Sequence, residues 1–248
     1  MDYTLLEQTS FEDLKKMAKD MSLNTHRSKT GYIKDIQKAF EEYEKYKENK
    51  VDKYTRIRQL GNKGKEGTTY LVVDKKGREF AMKTFRKTKS SNMLKTEYAL
   101  QKKAASVGIS PRVVEYDSIS KYIVMERMDC HLVEILKKNK ARLSRNYQYQ
   151  ILEIFEKLDE VKVFHGDSNI LNYMIKDGKV YIIDFGFSKE ISDRLVKKLG
   201  TSTPNSNIMT LGLILKLKEL NCDPFSWKFL IKKLSNEEIE KFQIKEIN

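Results

Sequence analysis

The first fifty residues show a helical, then broken, then helical pattern of apolar positions. Ser10 precedes an acidic turn and is a good N-cap for the first helix. A polar break covers residues 22–30, and residues 41–50 are mostly charged. The pattern predicts a helical hairpin over residues 1–50 that ends in a solvated helix or linker. The apolar positions are Phe11, Leu14, Met17 and Ala18, and then Tyr32, Ile33, Ile36, Ala39 and Phe40.

Beyond residue 50, short apolar runs predict strands. Glu79–Phe85 alternates between apolar and polar residues, as a half-buried strand does. Residues 161–164 and 180–183 are short apolar runs of strand-like composition. Residues 92–105 have the pattern of a helix. Residues 51–248 are therefore predicted to mix strands with helices.

Two acidic turns follow the last two predicted strands. Asp167 comes three residues after the strand at 161–164, with the amide of Asn172 five residues later, and Asp184 directly follows the strand at 180–183. Phosphoryl transfer depends on positioning and charge neutralisation, and oxygen ligands suit Mg²⁺. The sequence therefore predicts a phosphotransferase in which Asp167 orients the attacking hydroxyl and Asn172 and Asp184 bind the metal. A carboxylate is a weak base for an alcohol, so orientation is its main predicted role.

These segments, H-G-D-S-N-I-L-N and D-F-G, resemble the H-x-D-x-x-x-x-N catalytic loop and the D-F-G metal loop of protein kinases and their small-molecule-kinase relatives. The resemblance implies an α+β, two-lobed protein-kinase-like fold preceded by a small helical module. Its N-lobe, about residues 51–127, would contain a five-stranded antiparallel sheet plus a helix. Its reduced helical C-lobe would cover about residues 128–248.

The segment from residue 60 to residue 73 resembles the glycine-rich hairpin that covers the nucleotide phosphates. A backbone without Cβ can approach phosphate oxygens closely and still turn tightly. The spacing is G-x-x-G-x-x-G against the family's G-x-G-x-x-G, so one residue is inserted in the turn. Three glycines alone also fit an ordinary β-turn. The resemblance implies ATP contacts from Leu60, Gly61, Gly64, Gly67 and Thr69.

The strand Glu79–Phe85 resembles the family's V-A-I-K strand. The resemblance implies that Ala81 lies under the adenine and that Lys83 reaches the α and β phosphates. The cation needs a fixed counter-charge, and the helix over residues 92–105 offers Glu97 as the partner that orients it. A solvated glutamate on the helix face is the alternative interpretation.

The segment from Lys121 to Asp129 resembles the fifth strand and hinge of the family. Met125 would then be the gatekeeper beside the adenine. The Glu126 carbonyl and the Met128 amide would hydrogen-bond the purine edge.

Two polar side chains receive structural interpretations. His165 is interpreted as a packed strut for the catalytic loop in preference to a general base. Residues 206–215 resemble the start of the long buried helix of the large lobe. There Asn207 replaces the aspartate that ties this helix to the catalytic loop, which implies a weaker tie.

Several departures from the family pattern indicate which branch of the protein-kinase-like family this sequence resembles. Gly166 replaces the usual arginine before the catalytic aspartate, so no guanidinium is available to receive a phosphorylated activation loop. Residues 187–206 are few and contain no A-P-E, so a peptide-docking platform of ordinary size is missing. These features resemble small atypical kinases: the RIO family, the KEOPS-complex kinase and compact kinases of large DNA viruses. The H-G-D motif also occurs in aminoglycoside and choline kinases. The segments G-T-T-Y-L-V and A-M-K favour a protein kinase over these small-molecule kinases.

The net charge is +13, and it lies entirely outside the N-terminal segment, because residues 1–50 hold ten basic and ten acidic residues. The excess could attract acidic substrate proteins, nucleic acid or ATP, and an AT-rich genome explains it equally well. Two cysteines in unlike contexts indicate no disulfide framework. No apolar run is long enough to span a membrane, and no signal peptide is evident. A cytoplasmic or nuclear location is predicted, in the host cytoplasm if the chain is viral.

The N-terminal hairpin is similar to SAP and Rho-N type modules, which often bind DNA or RNA. Its zero net charge argues against nucleic-acid binding and favours a hairpin that docks on the kinase lobe or on a partner. The sequence as a whole predicts a compact Ser/Thr protein kinase that uses ATP with Mg²⁺, or Mn²⁺ in its place, and transfers phosphate to a protein hydroxyl. The alternatives are a small-molecule kinase and a pseudokinase scaffold.

Overall fold

A computed structural model describes residues 4–21, 23–49, 53–61, 64 and 66–244. These form two compact units, Met1–Thr96 with Glu115–Val124 and Glu97–Val114 with Met125–Asn248, here called the sheet unit and the helical unit. No helix among the described residues is both long and apolar enough to cross a bilayer.

The sheet unit begins with three helices, α1 (Thr4–Gln8), α2 (Phe11–Asp20) and α3 (Lys29–Asn49). The hydroxyl of Ser10 caps α2 as predicted, by accepting a hydrogen bond from the Asp13 N–H at 3.1 Å. The helices share a small buried core of Leu6, Leu14, Ala18, Tyr32 and Ile36. The predicted charged tail is helical through Asn49, while the side chains of residues 43–50 lie outside the described residues. The predicted boundary at residue 50 stays a prediction.

A five-stranded sheet follows, and it has the strand count that the sequence predicts. Its order is β1-β2-β3-β5-β4. Helix α4 (Ser91–Ser106) follows β3 and matches the helix predicted over residues 92–105. Val72, Phe80, Met82, Tyr122 and Val124 form an apolar cluster on one side of the sheet. The strands are β1 (Tyr54–Leu60), β2 (Gly67–Asp74), β3 (Glu79–Phe85), β4 (Val113–Asp117) and β5 (Tyr122–Glu126).

The helical unit has one continuous core around α6 (Arg145–Glu160) and α8 (Thr210–Glu219). Full burial of a side chain such as Phe155 stabilises this core by about 1.5–3 kcal/mol. Two small sheets carry the loops, β6-β8-β9 and β7-β10. The other elements are β6 (Cys130–His131), α5 (Leu132–Lys138), β7 (Val163–Phe164), β8 (Tyr173–Lys176), β9 (Lys179–Ile182), β10 (Lys189–Glu190), α7 (Asp193–Leu199) and α9 (Asn236–Lys241).

One predicted strand is shorter than expected. Of residues 161–164, only Val163 and Phe164 form a strand, because Val161 ends α6 and Lys162 has a left-handed backbone (φ 57°). The chain thus turns sharply from α6 into β7, which leads directly to the catalytic loop.

Candidate active site

His165 is the centre of the catalytic-loop segment. Its side chain is completely buried, with Nδ1 3.2 Å from the Asp167 carbonyl oxygen and Nε2 3.0 Å from the Ile183 carbonyl oxygen. Burial lowers the pKa of the imidazole, while the bond to the Ile183 carbonyl opposes that shift. A neutral ring with one N–H can donate to only one of the two carbonyls at a time. His165 is therefore the strut that the sequence predicted, since it holds the catalytic loop and the metal loop together.

Gly166 has a backbone reason for replacing arginine. Its φ is +79°, and a Cβ would lie 3.1 Å from the Phe187 carbonyl oxygen. A side chain here would be strained and crowded. The loop that follows β7 therefore depends on glycine at this position.

Hydrogen bonds connect the loop that carries Asp167 and Asn172 with the loop that carries Asp184. Asp167 accepts the Asn169 N–H on Oδ1 at 3.0 Å, and the Asn172 amide donates to the Asp167 carbonyl at 3.3 Å. The Ile183 N–H donates to the Asn172 carbonyl at 2.9 Å. These bonds bring the two loops that carry Asp167, Asn172 and Asp184 side by side.

Asp184 has an unusual backbone for a residue other than glycine. Its φ is 67° and its ψ is 76°, in the left-handed region. The next side chain, Phe185, is buried, and its ring packs edge-on against His165 at 5.0 Å between centroids. Asp184 itself is exposed. Non-glycine residues held in this region cluster at functional sites, where packing keeps them in place.

Asn205 ties the catalytic loop to the helix that follows it. Its buried amide accepts the His165 N–H at 3.0 Å and donates to the Val163 carbonyl and to Asp159 Oδ1, both at 2.7 Å. Asn207, by contrast, donates to the Thr201 hydroxyl at 3.1 Å. The sequence interpretation of Asn207 as the tying residue is thus wrong, and Asn205 has that role.

Helix α8 also approaches the catalytic loop closely. A Cβ on Gly212 would lie 2.5 Å from Ser168 Oγ, and that hydroxyl donates to the Met209 carbonyl at 3.3 Å. A π-helical turn at Asn205–Met209 precedes α8. Glycine therefore permits the approach of α8 to the loop.

In the sheet unit, four predicted ATP contacts share one face of the sheet. Leu60 lies opposite Thr69, and Thr69 lies opposite Lys83. Residues directly opposite in antiparallel strands point to the same side, as do residues two apart, so Ala81 joins them. The apolar cluster around Phe80 occupies the other face. The register of the strands thus brings Leu60, Thr69, Ala81 and Lys83 together.

The glycine loop is only partly described, since residues 62, 63 and 65 lie outside the described residues. Gly61 is left-handed (φ +65°), and no atom of the described residues would lie within 4 Å of a Cβ there; the Gly64 N–H donates to the Gly67 carbonyl at 2.9 Å. Glu66 is tied to the segment after β3, because its carbonyl accepts the Arg86 N–H at 2.9 Å and its carboxylate pairs with the buried Lys89 ammonium at 2.6 Å. The sequence did not single out this ion pair.

Gly67 differs from the other loop glycines, because a Cβ there would lie only 2.0 Å from the Thr84 carbonyl oxygen. We expect Gly67→Ala to destabilise the fold by about 2–3 kcal/mol, since β2 and β3 would have to separate. Gly61→Ala should lose only about 1 kcal/mol, from backbone strain, because no described residue lies close to the added Cβ. Urea unfolding followed by far-ultraviolet circular dichroism measures both changes. Equal losses would contradict the close approach of β2 to Thr84.

Glu97 lies on the buried face of α4. Only 2% of it is exposed, and the apolar Leu94, Leu100 and Ala104 lie on the same face. A carboxylate is rarely buried without a partner. The alternative interpretation of a solvated glutamate is therefore wrong, and the predicted pairing of Glu97 with Lys83 stays a prediction.

Two side-chain contacts at the predicted hinge were not evident from the sequence. Gln101 on α4 donates to the Met125 sulfur at 3.4 Å, and Met125 and Met128 are both buried. Glu126 forms an ion pair with Lys176 on β8. Burial alone would raise the pKa of Glu126, but the bond from Lys176 holds that pKa below its ordinary value. The Glu126 side chain thus anchors the predicted hinge to β8.

The fold and these loops define the class of protein. The model of the protein kinase domain matches residues 54–206, more than half of the chain, and the chain belongs to this family. It is 33% identical over 99 residues to the KEOPS complex subunit Bud32 of Pyrococcus abyssi, a match that covers 38% of this chain and 43% of that protein. It is 25% identical over 151 residues to cyclin-dependent kinase F-3 of Oryza sativa subsp. japonica, covering 57% of this chain and 35% of the relative. The chain thus spans less than half of the length of these curated relatives. The N-terminal helices lie outside the family match.

Proposed function

We propose that this chain is an ATP- and Mg²⁺-dependent Ser/Thr protein kinase. The observation that carries the proposal is the buried His165 ring, whose two nitrogens lie 3.2 and 3.0 Å from backbone carbonyls of the catalytic loop and of the metal loop. A phosphoryl-transfer enzyme works mainly by positioning, so its reacting groups need rigid support. Support of this kind is found here beneath Asp167 and next to Asp184.

We assign the nucleotide contacts by the chemistry of each group. Lys83 supplies a cation for the α and β phosphates, with Glu97 as its orienting partner. Gly61, Gly64 and Gly67 supply backbone N–H groups near phosphates, with Leu60 and Thr69 beside them. Adenine contacts are assigned to Ala81, Met125, the Glu126 carbonyl and the Met128 N–H.

Asn172 of the catalytic loop and Asp184 of the metal loop fit Mg²⁺. Asn172 and Asp184 offer one neutral and one charged oxygen, the ligand type that this hard cation prefers. Asn172 is buried and its amide nitrogen already donates to the Asp167 carbonyl, so its oxygen faces the other way. When bound, the cation neutralises charge on the phosphates. Asp167 then needs only to accept the hydrogen bond of the attacking hydroxyl.

We propose further that activity does not require phosphorylation of an activation loop. Gly166 occupies the position of the arginine that would receive such a phosphate, and the backbone at this position favours glycine. The Asn205 amide already holds the His165 backbone. The catalytic loop therefore has internal supports that do not depend on a phosphate.

Asp184→Asn is the variant that tests metal use. It removes one negative charge from the metal loop, and we expect the Mg²⁺ concentration for half-maximal activity to rise by about tenfold or more. Asp177→Asn is the matched control, because Asp177 is an exposed residue in the β8–β9 turn. Titration of Mg²⁺ at fixed ATP measures the change. An unchanged requirement in Asp184→Asn would contradict the assignment.

The acceptor is tested by phosphosite mapping. Parent protein and Asp184→Asn are incubated with labelled ATP, Mg²⁺ and cell extract, and the proposal expects phosphoserine or phosphothreonine that is lost in the variant. ATP turnover only upon addition of an aminoglycoside, choline or a sugar alcohol would identify a small-molecule kinase instead. Absence of both activities would identify a scaffold.

A further inference from the structure

The helical unit carries a surface strip of aromatic rings and cations at the N-terminal end of α6. Phe229 is its centre, with Phe225 at 5.8 Å and Tyr149 at 5.2 Å between ring centroids. Tyr149 is 42% exposed, and both phenylalanines are partly exposed. We call the set the cation–aromatic strip: Arg142, Arg145, Tyr149, Phe225, Phe229 and Lys232.

Every cation of the strip lies over a ring. The Arg142 guanidinium is 4.1 Å from the Phe225 centroid, and the Arg145 guanidinium is 4.9 Å from Phe229 and 5.3 Å from Tyr149. Lys232 lies 5.7 Å from Phe229. A guanidinium stacked in this way keeps its N–H groups at its edge, where they can bind a planar oxyanion with two hydrogen bonds.

The positive charge of the strip is largely uncompensated. Across the described ranges, none of its three cations has a carboxylate oxygen within 4.0 Å. Glu156, further along α6, is already paired with Lys233 at 2.7 Å. Asp223 is the nearest acidic residue in sequence to Phe225, and its carboxylate accepts the Phe225 N–H at 2.8 Å. The positive charge of the strip is therefore available to a negatively charged partner.

The strip is also rigid. The fully buried Gln148 donates to the Phe225 carbonyl at 2.7 Å and accepts the Phe229 N–H at 2.9 Å. Ser226, between the two rings, accepts the Leu143 N–H at 2.9 Å. These bonds hold the segment that carries Phe225 and Phe229 against α6. Less conformational entropy is therefore lost when a partner binds.

The strip is separate from the catalytic loop. Arg145 is the first residue of the 16-residue helix α6, and the catalytic loop follows its other end. A helix of this length spans about 24 Å, at about 1.5 Å per residue. A ligand on the strip would therefore bind without touching Asp167.

We propose that the cation–aromatic strip is a docking surface for an acidic peptide segment of a partner protein. Arg142 and Arg145 bind carboxylates, and Tyr149 contacts apolar side chains between them. Single-stranded nucleic acid fits less well, because bases stack on ring faces and a cation already lies over each ring here. The proposal goes beyond phosphoryl transfer and does not rest on it, since its readout is binding.

The test uses the full chain and a short fluorescein-labelled peptide rich in glutamate with interspersed leucines. We expect Arg142→Gln/Arg145→Gln to weaken binding, measured by fluorescence anisotropy, by about tenfold. The control Lys197→Gln/Lys198→Gln removes the same charge from exposed positions of α7 and should keep the parent affinity. Tyr149→Ala should weaken binding several-fold with no change in charge.

Three outcomes would overturn the docking surface. One is an equal loss in the Arg142/Arg145 variant and the Lys197/Lys198 control, which would indicate unspecific attraction. Another is parent-like affinity in both the arginine variant and Tyr149→Ala. The third is oligothymidylate binding that is tighter than peptide binding and is lost in the arginine variant, which would assign the strip to nucleic acid. Circular dichroism confirms that each variant is folded.

Discussion

Asp167→Asn is expected to lower the turnover number for phosphoryl transfer by about 10²–10⁴-fold. The carboxylate accepts the Asn169 N–H on one oxygen, and the proposed mechanism uses the other oxygen to accept the hydrogen bond of the attacking hydroxyl. An amide keeps the shape of the side chain and one acceptor, but its NH₂ group cannot accept that bond. The catalytic loop should therefore keep its structure, while the attacking hydroxyl is no longer oriented.

The measurement is steady-state autophosphorylation with Mg²⁺ and varied ATP. The KM for ATP should remain near that of the parent, because Asp167 is assigned to the acceptor and not to the nucleotide. Asp193→Asn, at an exposed position in the first turn of α7, makes the same chemical change and should retain full activity. Parent-like turnover in Asp167→Asn would remove this residue from the mechanism.

Asn205→Ala is expected to destabilise the protein by about 3 kcal/mol or more. The substitution leaves the His165 N–H and the Val163 carbonyl without their partner in a fully buried place, while Asp159 Oδ1 keeps only the Asn205 backbone N–H. Each buried polar group left unpaired costs about 1–3 kcal/mol. Because these atoms also hold the catalytic loop, activity should fall together with stability.

Asn207→Ala is the matched comparison for this change. It removes an amide two residues away whose bond is to the half-buried Thr201, so the loss should be about 1 kcal/mol or less. Trp227 is the single tryptophan and is buried in the helical unit, so its fluorescence reports urea unfolding of both variants. Equal losses would restore Asn207 as the tying residue.

The elements that the sequence predicted well have local causes. Glu79–Phe85 is a strand over the predicted residues, and α4 matches its predicted span within one residue at each end. Ser10 caps α2 because its hydroxyl needs only a partner three residues away. Alternation, helical spacing and caps all act within a few residues, so they can be read from the chain.

The errors and omissions concern partners that are distant in sequence. Asn205 and His165 are 40 residues apart, and Glu126 and Lys176 are 50 apart. Nothing in the spacing of asparagines distinguishes Asn205 from Asn207, because both lie at the start of the same helix. The packing of that helix against α6 decides which of the two amides faces the catalytic loop.

The sequence by itself determined the identity of the chemical groups and the strands and helices that carry them. Its short motifs predict Asp167, Asn172 and Asp184 as the acceptor and metal groups, and Lys83 as the phosphate cation. Only the tertiary structure decided that Asn205 holds the catalytic loop and that Gln148 holds the segment that carries Phe225 and Phe229. The physical reason is that a buried polar atom must find a partner wherever packing brings one, and that partner can come from any part of the chain.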